Sequence, residues 1–184
     1  MDNSDADLLN AVLAQLDDPA EQATSSSEEE DSEDRWDEAE ENHRWTLPGL
    51  APMTRVSTSF GEVFAHALRK GDLVRTPSSE FLPIVWIDRV TLDAQLLCSL
   101  PDAQSVVVLA GVFGKKVPEY KIRMSPAQLL LPVQKGGKGE LCSARSLLGR
   151  PGVKRHHETA ITYTRFRLPK PSLVRSEGVW LAAG

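Results

Sequence analysis

Two textures follow one another along this chain. Leu8, Leu9, Val12, Leu13 and Leu16 recur at i, i+4 and i+8 spacing, which predicts a short helix near 5–17 with one apolar face. Ser4 stands where a cap would, Asp7 three residues later echoes a capping box, and Asp17, Asp18 and Pro19 stop the pattern. A helix of about a dozen residues is marginal alone, so this one needs a surface: a protein partner, or its own domain. Residues 20–46 then lose periodicity. A Thr/Ser run at 24–27 leads into an acidic run at 28–31, and almost nothing is apolar except Trp36 and Trp45, which predicts a disordered stretch.

From Leu47 onward, short apolar runs at 55–58, 63–68, 72–76, 84–90 and 105–112 are broken by Gly, Pro, Asp and Ser, which is the rhythm of strands. Branched residues dominate them, as in Val106, Val107 and Val108, and Pro83 at the head of one run predicts an edge or the start of a strand. Gly71-Asp72 suits a tight turn between two short strands, and Gly61 suits a hairpin position with positive φ. Segments 127–131 and 144–148 predict single helical turns. The organisation expected is an acidic tail over 1–46 and a mainly β domain over 47–184.

Charge sharpens that division. Residues 1–46 hold 16 acidic side chains against Arg35 and Arg44, while 47–184 hold 19 basic against 10 acidic, so the net charge of −5 conceals −14 and +9. The opposed halves suggest a tail that screens the basic face of the domain against external anions. No apolar run reaches the roughly 18 residues needed to cross a bilayer, and the acidic N-terminus is unlike a secretory signal, so a cytoplasmic protein without membrane attachment is expected. Cys98 and Cys142 form no Cys-x-x-Cys pair, and His at ligand spacing is missing, so neither a metal nor another cofactor is expected and both thiols read as inert.

The series Gly49-Leu50-Ala51-Pro52-Met53-Thr54-Arg55-Val56, Gly61, Leu68-Arg69-Lys70-Gly71-Asp72-Leu73-Val74 and Pro83-Ile84-Val85-Trp86-Ile87 resembles the opening of bacterial stand-alone Hint (Hedgehog/intein-like) domains. The likeness continues through Ala110-Gly111-Val112-Phe113-Gly114, Pro118-Glu119, Met124-Ser125-Pro126-Ala127-Gln128, Ala144-Arg145-Ser146-Leu147-Leu148, Tyr163 and Glu177-Gly178, covering roughly 49–181. It implies an all-β Hint fold of mostly antiparallel long strands curling over one another. It also implies self-cleavage, in which a Cys attacks the preceding carbonyl with help from a downstream His. Here the Cys slot falls on Gly49, which has no side chain to attack with, and the His slot falls on Gln128, an amide that exchanges no proton near neutral pH. A family Arg-Asp pair reads Tyr120-Lys121, and a late His slot falls on Pro171. Thr54 is a nearby hydroxyl, and it reads as a residue leading into a strand whose side chain ties the turn, since no partner base is visible.

Other chemistry-bearing residues weigh less. His156, His157 and Glu158 are adjacent, so in a strand or a helix only one His could face a given ion, and an exposed loop is the plainer reading. His66 falls in the predicted strand at 63–68, and His43 in the tail. Gly136-Gly137-Lys138-Gly139 lacks phosphate-loop spacing and reads as a hairpin tip. Basic clusters at Lys115-Lys116, Lys135-Lys138, Arg150-Lys154-Arg155 and Arg165-Arg167-Lys170 are the ground for an anion or nucleic-acid partner, though aromatic interleaving is thin. The expectation is a catalytically inactive Hint-domain protein, an interaction or regulatory module with a vestigial site at Gly49, Thr54, Ser125 and Gln128. Its protein partner would be met by Leu8, Leu9, Val12, Leu13 and Leu16. The alternatives are autoprocessing near Pro48-Gly49 and an anion-binding or nucleic-acid-binding module.

Overall fold

A computed structural model describes residues 44–132 and 139–183; the predicted helix near 5–17, the acidic run, most of the glycine-rich loop and Lys135-Lys138 lie outside the described residues. The strands are β1 (Arg55–Thr58), β2 (Gly61–Phe64), β3 (Leu73–Arg75), β4 (Phe81–Pro83), β5 (Trp86–Leu92), β6 (Ser105–Val108), β7 (Ile122–Met124), β8 (Leu129–Leu131), β9 (Cys142–Ser143), β10 (Val153–His156), β11 (Ile161–Arg167), β12 (Ser172–Ser176) and β13 (Val179–Ala183). Every pairing between them is antiparallel, in the orders β2-β1-β3-β4, β10-β6-β7, β11-β5 and β12-β13-β8-β9. This is the all-β, antiparallel architecture expected, but not with the long strands anticipated. Most strands are short, and the longest are the paired seven-residue β5 and β11.

The apolar runs explain where each strand lies. β6, all Val after Ser105, is buried along its whole length because β10 and β7 flank it in the sheet, as a continuous branched run requires. Pro83 ends β4, the outermost strand of its sheet, where a missing N–H costs no ladder bond. Two clusters of buried side chains form the core. The larger includes Val56, Ile84, Ile122, Met124, Leu130 and Leu181; the smaller gathers Trp45, Leu92, Leu97, Ala103, Ile161 and Tyr163.

Several boundaries differ from expectation for identifiable reasons. The run at 63–68 leaves its ladder after Phe64, because the Ala65 and His66 amides donate to the Thr54 and Pro52 carbonyls and wind Ala65–Ala67 into a 3₁₀ turn. His66 is therefore exposed on a turn, not in a strand, with Nδ1 2.9 Å from the Pro52 carbonyl. Segment 127–131 is not a helical turn: a single bond from the Gln128 amide to the Ser125 carbonyl closes a tight turn, after which Leu129–Leu131 pairs with β9 and β13. The run at 105–112 stops at Val108, ahead of turns at Gly111 and Gly114. Ala144–Leu147 does form one 3₁₀ turn, capped by Ser143. Helix α1 (Ala94–Ser99), whose N-cap Asp93 accepts from the Leu96 amide at 2.9 Å, is among the elements not anticipated.

Gly61 closes the β1–β2 hairpin opposite Thr58 with φ of 101°, as its sequence position anticipates. A Cβ there would meet nothing within 4 Å. Gly61→Ala is therefore expected to cost stability through backbone strain alone, about 1–2 kcal/mol in denaturant unfolding.

Candidate functional site

Residues 49–51 stitch two strands together. The Leu50 amide donates to the Thr164 carbonyl and the Thr164 amide to the Leu50 carbonyl, both at 2.9 Å, on the β11 side. On the β7 side, the Ala51 amide donates to the Arg123 carbonyl at 3.0 Å and the Ser125 amide to the Gly49 carbonyl at 2.8 Å. The backbone of Gly49 is thus clamped between the two strands, its Cα against β11. A Cβ at this position would fall 2.9 Å from Tyr163 Cβ, 3.3 Å from Arg165 Cγ and 3.4 Å from the Thr164 carbonyl oxygen. Any side chain at position 49 must displace a strand or its neighbours.

Gly49 and Gln128 line one crevice, together with Pro48, Thr164, Ala182 and Ala183. The Gln128 carboxamide donates both its hydrogens to carbonyls, Leu129 at 3.0 Å and Ala182 at 2.8 Å, so it pins β13 and has no donor left over. Ser125, fully buried, is equally committed: its hydroxyl donates to the Leu47 carbonyl at 2.6 Å and accepts from the Trp45 indole at 3.0 Å and the Ala127 amide at 3.2 Å. Thr54 is also buried, and its hydroxyl donates at 2.5 Å to the Arg123 carbonyl that the Ala51 amide also reaches and accepts the Arg123 amide at 3.2 Å. The structure brings Gly49, Ser125 and Gln128 together and leaves Thr54 outside the crevice. Among the described residues lining the crevice none is His, Cys, Asp, Glu or Lys, so none of them can take up a proton near neutral pH. The buried Thr164 hydroxyl and Arg165 Nε have no hydrogen-bond partner among the described residues.

The segment just upstream is equally fixed. Trp45, which the sequence places in the tail, is buried beside Tyr163, with ring centroids 6.3 Å apart. Its amide donates to Asp102 Oδ2 at 3.1 Å and its carbonyl accepts from Arg145 at 2.7 Å, while Arg145 also pairs with Asp102. Arg155 closes the network on Asp102 Oδ1 at 3.1 Å. Burial pushes the Asp102 carboxyl up, but the donors from Trp45, Arg155 and Arg145 together hold it below the usual carboxylate range. Tyr163 donates to the Ala103 carbonyl at 2.8 Å, and its burial drives its hydroxyl far above the ordinary tyrosine range.

The remaining candidates lie elsewhere. Tyr120 is exposed beneath the Arg55 guanidinium, 4.1 Å from ring centroid to Cζ, and Pro171 is exposed ahead of β12. His156 and His157 are exposed, while Glu158 pairs with Arg123 at 3.0 Å, and no metal-holding cluster exists among the described residues. The basic clusters are partly spent: Arg155 on Asp102, Lys170 near Glu80, and Arg165 and Arg167 with guanidiniums 5.7 and 5.3 Å from the Trp86 ring. Cys98 is exposed, whereas burial raises the half-buried Cys142 thiol. No helix among the described residues is long and apolar enough to cross a membrane. Sequence reasoning missed Thr164 and Ala182, brought in by strand pairing, and the Asp102 network, brought in by side-chain contacts between segments far apart in sequence.

Residues 48–182 match the Hint domain family, and the chain belongs to it. Similar solved structures are the gp41-1 intein (12% identity, 76% of this chain and 100% of that one, TM-score 0.48), a DnaB intein from Synechocystis sp. PCC 6803 (9%, 75% and 99%, 0.49) and the Msm DnaB1 intein splicing domain bound with zinc (15%, 73% and 99%, 0.49). No curated protein sequence matches the chain.

Two outcomes are expected. Gly49→Ala destabilises by about 1–3 kcal/mol, the range for overpacking, and the combination with Tyr163→Gly, which removes the facing Cβ, is less damaging than the sum of the single changes when measured by denaturant unfolding. Because the Asp102 carboxyl is lowered on folding, its contribution is fully present above the unfolded value of about 3.9 and is lost as pH falls through the lower folded value. Melting curves from pH 6 down to pH 2 are therefore expected to fall more steeply for the wild type than for Asp102→Asn.

Proposed function

We propose that this is a Hint domain without self-cleavage, which serves as a non-catalytic interaction or regulatory module and keeps its acidic tail covalently attached. The observation that carries this reading is the closed position at Gly49, whose missing Cβ would lie 2.9 Å from Tyr163 Cβ, in a crevice whose described lining has no group that can accept a proton near neutral pH. The seating of Trp45 and Leu47 supports it further. The bond that a cleaving relative would break, between Pro48 and Gly49, lies between a buried tryptophan and a clamped backbone. Gln128 holds β13 where a general base would otherwise have to move protons. The side chains Leu8, Leu9, Val12, Leu13 and Leu16 on the retained tail supply the apolar contact for a protein partner.

Intact mass tests the chemistry. The purified full chain is expected to keep its whole mass through long incubation with dithiothreitol or hydroxylamine, and Gly49→Cys alone is expected to leave it uncut. Loss of residues 1–48 from the unaltered chain overturns the reading.

A further inference from the structure

An exposed apolar groove lies away from the crevice. Met53, Phe64, Leu109 and Tyr120 line it and are each 39–62% exposed, together with Arg55 and Glu177. Arg55 and Glu177 form a two-pronged ion pair at 2.5 and 3.2 Å, in which the Glu177 side chain is almost wholly buried, and the Arg55 guanidinium stacks on Tyr120. The two walls come from different parts of the chain. Met53 and Phe64 flank the β1–β2 hairpin, and Leu109 and Tyr120 stand at either end of the β6–β7 connection. A clustered apolar surface of this kind marks a contact site.

We propose that this groove holds residues 8–16 of the same chain, so that the domain covers its own partner-binding segment. Leu8, Leu9, Val12, Leu13 and Leu16 give an apolar face of the helix-in-groove type. Residues 2–18 carry five aspartates and no basic side chain. The groove's own lining balances Arg55 and Lys121 against Glu119 and Glu177, and the β6–β7 connection that forms one of its walls adds Lys115 and Lys116, so that connection is basic where the segment is acidic. Reach poses no obstacle. The 27 residues from 17 to 43 span up to roughly 90 Å when extended, against a radius of gyration of about 14 Å for a domain this size. Tethering gives the segment an effective concentration on the order of millimolar, ahead of a free partner at lower concentration. A partner must then compete with the groove for the same leucines.

The docking rests on the chain staying uncut, and one sample tests both. The full chain labelled with carbon-13 at its methionine methyls carries Met53 in the groove, Met124 in the core as an internal control, and Met1. Comparison with Leu9→Asp/Leu13→Asp is expected to show a shifted Met53 signal and several-fold faster relaxation of it by a soluble gadolinium chelate, with Met124 unchanged. Phe64→Ser is expected to expose Met53 to the same degree. Identical Met53 shift and relaxation in wild type and tail variant, with intact mass, overturns the docking alone and leaves the groove open to a partner in trans. Loss of residues 1–48 by mass overturns the non-cleaving reading instead.

Discussion

Four backbone hydrogen bonds around residues 49–51 set the distance between β7 and β11, and much of the molecule is arranged about that distance. Leu50 bridges both Met124 and Thr164, so a three-residue stretch behaves as a strand inserted between two others. Backbone groups buried this deeply must be paired, and pairing on both sides leaves the stretch no freedom to slide or turn. Its side chains then decide the rest. Leu50 enters the larger core cluster and Ala51 the smaller, so the stitch is also the seam between the two.

Around that seam, polar side chains serve as structural ties. Ser125, Thr54 and Gln128 each satisfy main-chain groups of segments far away in sequence, reaching 47, 123 and 182. A buried hydroxyl or amide committed in this way rigidifies its surroundings, and losing one partner leaves the other unpaired at a cost of about 1–3 kcal/mol. Asp102 plays the same part with charge, drawing Trp45, Arg145 and Arg155 to one carboxylate.

Much of the fold was legible because strands advertise themselves locally. Arg55–Thr58 and the hairpin glycine at 61 follow from residue type and spacing, and so does the capped turn at Ala144–Leu147. The ordered motifs gave the architecture. What local pattern misjudged were places where a distant carbonyl captured an amide, as at Ala65 and His66, or where pairing recruited a leucine run, as at Leu129–Leu131. The site was half legible. Gly49, Ser125 and Gln128 could be aligned by motif, but Thr164 and Ala182 reach them only through the β11 and β13 pairings, which no neighbouring residue announces. Trp45 was assigned by its acidic company and is held by an indole bond to Ser125, 80 positions away. Such a partner is invisible to composition.

The close approach of Gly49 to Tyr163 has a consequence for how this chain can vary. Two positions separated by 114 in sequence meet at the level of the Cβ, so position 49 cannot gain a side chain unless residue 163 loses its own Cβ or β11 shifts, and substitutions at them are not independent. Drift at position 49 is confined to paths that first bring glycine to position 163 or move β11, and the first of these also removes the ring beside Trp45. The smallest residue in the seam is thereby the one with the narrowest evolutionary exit.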